Sequence, residues 1–170
     1  VTPPDDSQNT PPDDNKPTPP PDDNKPTGGE GTKFVNPISS KSITESFNVI
    51  YASKTTGFIY RHKAVDFGAD EGTEVYSMAD GVVLEVSMNE KTGNYITIQH
   101  SDGLVTLYRF VEPVTGIHKG ATVNKGEVIA KVAAAYGSEA KDGTHLHLEV
   151  FLNGAPADPA NYIDIVNDEK

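Results

Sequence analysis

The sequence predicts an all-β domain built mainly from antiparallel strands, preceded by a disordered N-terminal tail. Three observations carry this. From Phe34 onward, short runs of β-favouring residues are separated by Gly, Asn and Asp. Tyr95 to His100 alternates apolar and polar side chains, as a half-buried strand does. No stretch longer than ten residues keeps a clean helical period.

Residues 1–32 are low-complexity. The unit Pro-Pro-Asp-Asp-Asn-Lys-Pro-Thr occupies 11–18 and recurs at 20–27, with a degenerate copy at 3–10. Val1 is the only aliphatic residue there and no aromatic is present. Such a segment cannot bury enough apolar surface to offset the entropy of ordering it. Its prolines favour extended, polyproline-like conformations, so at about 3.1 Å per residue a stiff tail reaches roughly 100 Å. It reads as a spacer, with Thr27-Gly28-Gly29-Glu30-Gly31 as a flexible joint before a domain over 33–170.

Within that domain the predicted strands are Ala64–Phe67, Glu74–Met78, Gly81–Val86, Tyr95–His100, Leu104–Phe110, Glu127–Val132 and His145–Phe151. Ser101-Asp102-Gly103 supplies a hairpin turn, and Asn153-Gly154 a second turn signal. A short helical turn is expected within Ala130–Tyr136.

The 170 residues suit one ordinary domain plus the tail. The formal net charge is -11, of which the tail carries -5, so the domain is acidic in its own right. That disfavours nucleic acid, whose phosphates need a basic footprint, and adsorption to an anionic membrane surface. No cysteine is present, so any metal must be held by His, Asp or Glu. No run of about 18 apolar residues suits a membrane span. The chain begins at Val1 rather than Met. It is therefore read as a fragment whose anchor or signal lies upstream.

Two clusters carry chemistry. In Gly143-Thr144-His145-Leu146-His147-Leu148-Glu149-Val150, the aliphatic and polar side chains alternate. On a strand, His145, His147 and Glu149 therefore share one face, with residues i and i+2 about 6.6–7 Å apart. Two imidazoles can then flank one metal or its bound water; a plain solvent-facing strand gives the same pattern. In Arg61-His62-Lys63-Ala64-Val65-Asp66-Phe67-Gly68, full extension puts His62 and Asp66 about 13 Å apart. Zinc needs ligand atoms within about 2.0–2.2 Å of itself. Val65, Phe67 and Gly68 argue against a helix, so the prediction is a loop at His62 that folds back and a strand that starts at Asp66. Together the clusters offer His, Asp and His, a set suited to zinc. Three protein ligands leave a fourth position for water, as in catalytic rather than structural zinc sites.

An ordered series of segments resembles the LytM/M23 metallopeptidase family. It runs through His62-Lys63-Ala64-Val65-Asp66, Gly72-Thr73-Glu74-Val75-Tyr76, Ala79-Asp80-Gly81-Val82-Val83, Asn94 to His100 and Gly103 to Tyr108. Val123 to Ile129, His145-Leu146-His147-Leu148-Glu149 and Asn153 to Pro159 complete it. The resemblance implies a lysostaphin-like β-sheet groove with Zn2+ held by His62, Asp66 and His147. It also implies action on the peptide cross-bridges of peptidoglycan, outside the cytoplasm. Active members use two further histidines to hold and polarise the catalytic water. One is the first of His-x-His, here His145. The other ends a Tyr-x-His triplet, here Tyr108-Arg109-Phe110. Phe110 can neither take a proton nor donate a hydrogen bond. Such acid–base help contributes about 10²–10⁴-fold, so activity is expected to be weak or lost.

Other residues do not fill the gap. His100 is expected to be structural and His118 to sit in a surface loop. Arg109 cannot act as a base at neutral pH. Tyr60 and Tyr108 are expected to pack rather than donate to the site. Phe110, the long loop Val132–Thr144 and the ending Pro159 to Asp164 resemble SpoIIQ-type members, a membrane-anchored branch in spore formers. That resemblance implies a binding or scaffold role with a SpoIIIAH-like protein or a peptidoglycan peptide as partner. An active zinc-dependent endopeptidase is the alternative.

Overall fold

A computed structural model describes residues 34–40, 42–89 and 93–164; the repetitive tail over 1–32 lies outside them. Thirteen strands appear among the described residues. They are β1 (Ile43–Glu45), β2 (Ile50–Ala52), β3 (Ile59–Arg61), β4 (Val65–Gly68), β5 (Glu74–Tyr76), β6 (Gly81–Ser87) and β7 (Tyr95–Gln99). Then follow β8 (Leu104–Arg109), β9 (Val111–Pro113), β10 (Thr122–Val123), β11 (Val128–Val132), β12 (His145–Leu152) and β13 (Ala155–Ala157). All ten recorded strand pairs are antiparallel. The largest sheet has the order β1-β4-β12-β8-β7-β6-β10, with β13 also paired to β12; β5-β11-β9 and the hairpin β2-β3 form two smaller sheets.

Side-chain alternation gives each strand two faces. Leu146, Leu148 and Val150 of β12 turn to one side. There they meet Val65 and Phe67 of β4, Ile96 and Ile98 of β7, and Leu104 and Tyr108 of β8 in one buried cluster. Val75, Val111, Ile129 and Val132 bring the three-stranded sheet into the same cluster. The seven strands read from β-favouring runs fall where those runs put them, to within a residue or two at their ends.

The helical turn expected within Ala130–Tyr136 is a correction. Residues up to Val132 are strand, because β11 pairs with β5 on one side and β9 on the other. Ile129 and Val132 bury their β-branched side chains there. The helical turns are short 3-10 segments at Gly137–Glu139 and Pro159–Asn161. No helix among the described residues is long and apolar enough to cross a membrane.

What positions the site is the register around β12. Asp66 of β4 lies opposite His147, His147 opposite Arg109 of β8, and Arg109 opposite Tyr95 of β7. Register partners share a face of the sheet. These four residues therefore form one row across the face opposite the core, and His145 and Glu149 lie to either side of it on the same face.

Candidate metal centre

His62 follows directly on β3, where two backbone bonds fix its turn: His62 N–H donates to Val49 and the His62 carbonyl accepts from Asn48. The chain then bends through Lys63 and Ala64 into β4, so Asp66 is the second residue of its strand. This is the fold-back that the spacing required. It brings His62 Nε2 to 3.3 Å from Asp66 Oδ2 and 3.4 Å from His147 Nδ1, while His147 Nδ1 is 2.9 Å from Asp66 Oδ1. Two ligands bound to one zinc at about 2.0–2.2 Å in tetrahedral geometry lie roughly 3.4 Å apart. The three groups that the sequence resemblance nominated thus lie together, close enough for one ion to be shared after small adjustments.

Each imidazole is oriented by its other nitrogen. His62 Nδ1–H donates to the Ser46 carbonyl at 3.2 Å, which leaves the Nε2 lone pair facing Asp66 and His147. His145 Nδ1–H donates to the Gly143 carbonyl at 2.9 Å, which turns its Nε2 toward the carboxylates. His147 Nε2 is 3.4 Å from Glu149 Oε1, and Glu149 in turn is 3.5 Å from the Arg109 guanidinium. A carboxylate behind a ligating histidine fixes its ring and raises its basicity. Glu149→Ala is therefore expected to weaken zinc binding about 10–100-fold, read by competition with a chromophoric chelator. Unchanged affinity would remove Glu149 from the orienting role.

The site contains one acid that the sequence did not nominate. Glu139, 4% exposed, places Oε2 3.1 Å from His147 Nδ1 and 3.5 Å from His145 Nε2. Asp66, Glu139, His145 and His147 each offer one potential ligand atom, and all four atoms lie within 4.8 Å of one another. Among the described residues, Asp66 Oδ1, Glu139 Oε2 and His145 Nε2 are buried without a hydrogen bond of acceptable geometry, despite their short separations. Buried polar atoms are rarely left so. Lone pairs converging on a point, with donors not aimed at acceptors, suit a cation between them.

The electrostatics agree. Burial works against the charged form of every group here, but the neighbouring charges prevail. His147 is raised well above the usual imidazole value by Asp66, Glu139 and Glu149. His62 is raised chiefly by Asp66, and His145 by Glu139 and Asp66. Asp66 is lowered by His147 and His62, Glu139 by His145 and His147, and Glu149 by His147 and Arg109. The carboxylates stay ionised and the pocket demands positive charge, which protons or a metal cation can provide.

Phe110 stands beside this cluster. Its ring meets His145 edge-on at 5.0 Å and His147 at 5.9 Å, and it is 2% exposed. Its backbone has φ 61°, a left-handed value uncommon outside glycine. Bonds from Phe110 N–H to Asn94 and from Ala133 N–H to the Phe110 carbonyl hold that kink, which ends β8. Gly93 makes room for the ring, since a Cβ there would lie 2.6 Å from it.

The remaining expectations divide. His100 is structural, held between the Asp80 carbonyl at 2.9 Å and Thr106 Oγ1 at 2.8 Å. His118 is exposed. Tyr108 is fully buried and its hydroxyl accepts from Met78 N–H. Tyr60 departs from the packing role expected of it: its hydroxyl donates to Glu139 Oε1 at 3.2 Å. A cleft of roughly 540 Å3 opens over His62, His147 and Glu149, flanked by Tyr60, Arg109 and Tyr136.

An antiparallel β-sheet carrying a buried His/Asp/His cluster defines a β-domain with a candidate metal centre. The model of peptidase family M23 matches residues 60–159, and the chain belongs to that family. The peptidoglycan DD-endopeptidase ShyC of Vibrio cholerae is 31% identical over 73% of this chain, which spans 28% of that relative. Stage II sporulation protein Q of Bacillus subtilis is 28% identical over 60% of this chain and 36% of that one. A crystal structure of a zinc-containing peptidase from Vibrio cholerae superposes with a TM-score of 0.64 at 30% identity, covering 79% of this chain and 40% of that one. A SpoIIQ–SpoIIIAH pore-forming complex gives a TM-score of 0.67 at 22% identity, covering 79% of this chain and 92% of that one; it bears on the fold alone.

Proposed function

We propose that residues 33–170 form a zinc-binding M23 domain of a bacterial envelope protein whose hydrolytic power is weak or lost. It serves as a binding or scaffold module, and residues 1–32 act as its spacer. His62, Asp66 and His147 hold the zinc, which when bound supplies Lewis-acid polarisation of a carbonyl oxygen or an acidic water. His145 is the one imidazole beside the ligands free to hold or move a proton at Nε2. The observation that carries the reading is Phe110, an apolar ring against both His145 and His147. It offers no proton acceptor where the family's second histidine stands. The partner is a peptidoglycan peptide or a SpoIIIAH-like protein outside the cytoplasm. The DD-endopeptidase relative supports the first; the second follows from the sequence resemblance to SpoIIQ-type members, of which stage II sporulation protein Q is a relative.

A working zinc endopeptidase is the second reading. His145, with Nε2 unsatisfied and turned into the cluster, favours it. Zinc can bring its water to a pKa near 7 without a second base. The test incubates the zinc-loaded chain with cross-linked muropeptides and follows products by mass spectrometry. Retention of intact substrate is expected; rapid cleavage would eliminate the scaffold reading.

A further inference from the structure

We infer that Glu139 is a fourth protein ligand, so that the chain's own carboxylate closes the metal centre against water and substrate. This rests on the ligand reading above. The carboxylate is divided in its contacts. Oε1 accepts from the Tyr60 hydroxyl at 3.2 Å, while Oε2 is buried without a hydrogen bond and lies 3.1 Å from His147 Nδ1. That ring nitrogen is the same atom that lies 2.9 Å from Asp66 Oδ1. Position within the cluster separates a ligand from a base. A general base acts on a bound water from a further hydrogen bond away, about 2.6–3.2 Å. An oxygen 3.1 Å from His147 Nδ1 stands among the potential ligand atoms, all within 4.8 Å of one another, and so competes for the water's own place.

The backbone that carries Glu139 is held firmly, and the Tyr60 hydroxyl holds its carboxylate. Glu139 ends the 3-10 turn Gly137–Glu139, and that turn is clamped to the β2–β3 hairpin. The Ser138 carbonyl accepts from Ser53 Oγ and from the Tyr51 hydroxyl, and Ser138 Oγ bonds the Tyr60 hydroxyl at 3.0 Å. Asp142 accepts from the Tyr51 hydroxyl and pairs with Lys54 at 3.1 Å. Lys141 N–H donates to Thr55 Oγ1 at 3.2 Å. Both sides of the clamp are joined to the centre: β3 leads straight into His62, and the 133–144 loop leads into His145. A substrate carbonyl would have to displace the Glu139 carboxylate from the cluster and from its bond with the Tyr60 hydroxyl to reach the metal. The ligand class is a four-coordinate divalent transition metal bound by two imidazoles and two carboxylates, a geometry that closed sites share.

The test uses the cobalt(II)-substituted chain and acetohydroxamate, a small chelator that needs a vacant position. The wild-type visible spectrum is expected to resist added acetohydroxamate. Glu139→Gln is expected to give a saturable spectral change and to weaken zinc binding by at least about 100-fold, the upper end of what loss of an outer-shell partner costs. Saturable uptake of acetohydroxamate by the wild type would overturn the closure, whatever the variant does. So would unchanged zinc affinity in Glu139→Gln. Either failure leaves His62, Asp66 and His147 as ligands; a wild type that takes up no stoichiometric zinc would instead sink the ligand reading itself.

Discussion

His147→Ala is expected to abolish stoichiometric zinc, as read by elemental analysis of the dialysed protein, and His62→Ala should do the same. Nδ1 of His147 is the atom on which the cluster centres, close to His62, Asp66 and Glu139 at once. Alanine removes that ligand and leaves the Asp66 and Glu139 carboxylates buried with one cation fewer to offset them. The loss should exceed the 10–100-fold that an outer-shell change such as Glu149→Ala costs. The strand should survive, because the aliphatic face of β12 is untouched: Leu146, Leu148 and Val150 stay in the core. Zinc retained in full by either variant would show that the ligands lie elsewhere.

Phe110→His is expected to raise hydrolysis of cross-linked muropeptides. A second imidazole restores acid–base help of the kind that contributes about 10²–10⁴-fold. The site admits it: histidine is smaller than phenylalanine and is among the residues that tolerate a left-handed φ, and both backbone bonds at position 110 are independent of the side chain. With Glu139 closing the centre, the single change should realise only part of that gain. The full gain is expected with Glu139→Gln in the same chain, assayed at zinc concentrations that saturate its weakened site, so the two effects should not add. No rise in activity in the single or the double variant would mean that Phe110 is not what limits turnover.

Strand alternation made most of the large sheet readable. Leu146, Leu148 and Val150 could only be a core face, which put His145, His147 and Glu149 together on the other. The bend between His62 and Asp66 was readable by exclusion, since a straight strand would separate them by about 13 Å. The hairpin β2–β3 was not readable, because three residues per strand leave no periodicity to detect. Glu139 was hidden for a related reason. It lies in a loop without pattern, and its distance from the other site residues along the chain gives no spacing to interpret. Its only trace was an acid within an unusually long connection between β11 and β12. Tyr60 was misjudged with it, because its hydroxyl gains a role only once that loop is folded against the hairpin.

The central claim is tested most directly by anomalous scattering at the zinc edge from crystals of the zinc-loaded chain. One peak is expected, with His62 Nε2, an Asp66 carboxylate oxygen and His147 Nδ1 about 2.0–2.2 Å from it. A folded chain with no peak there, or with its zinc held by other side chains while these three stay free, would contradict the account.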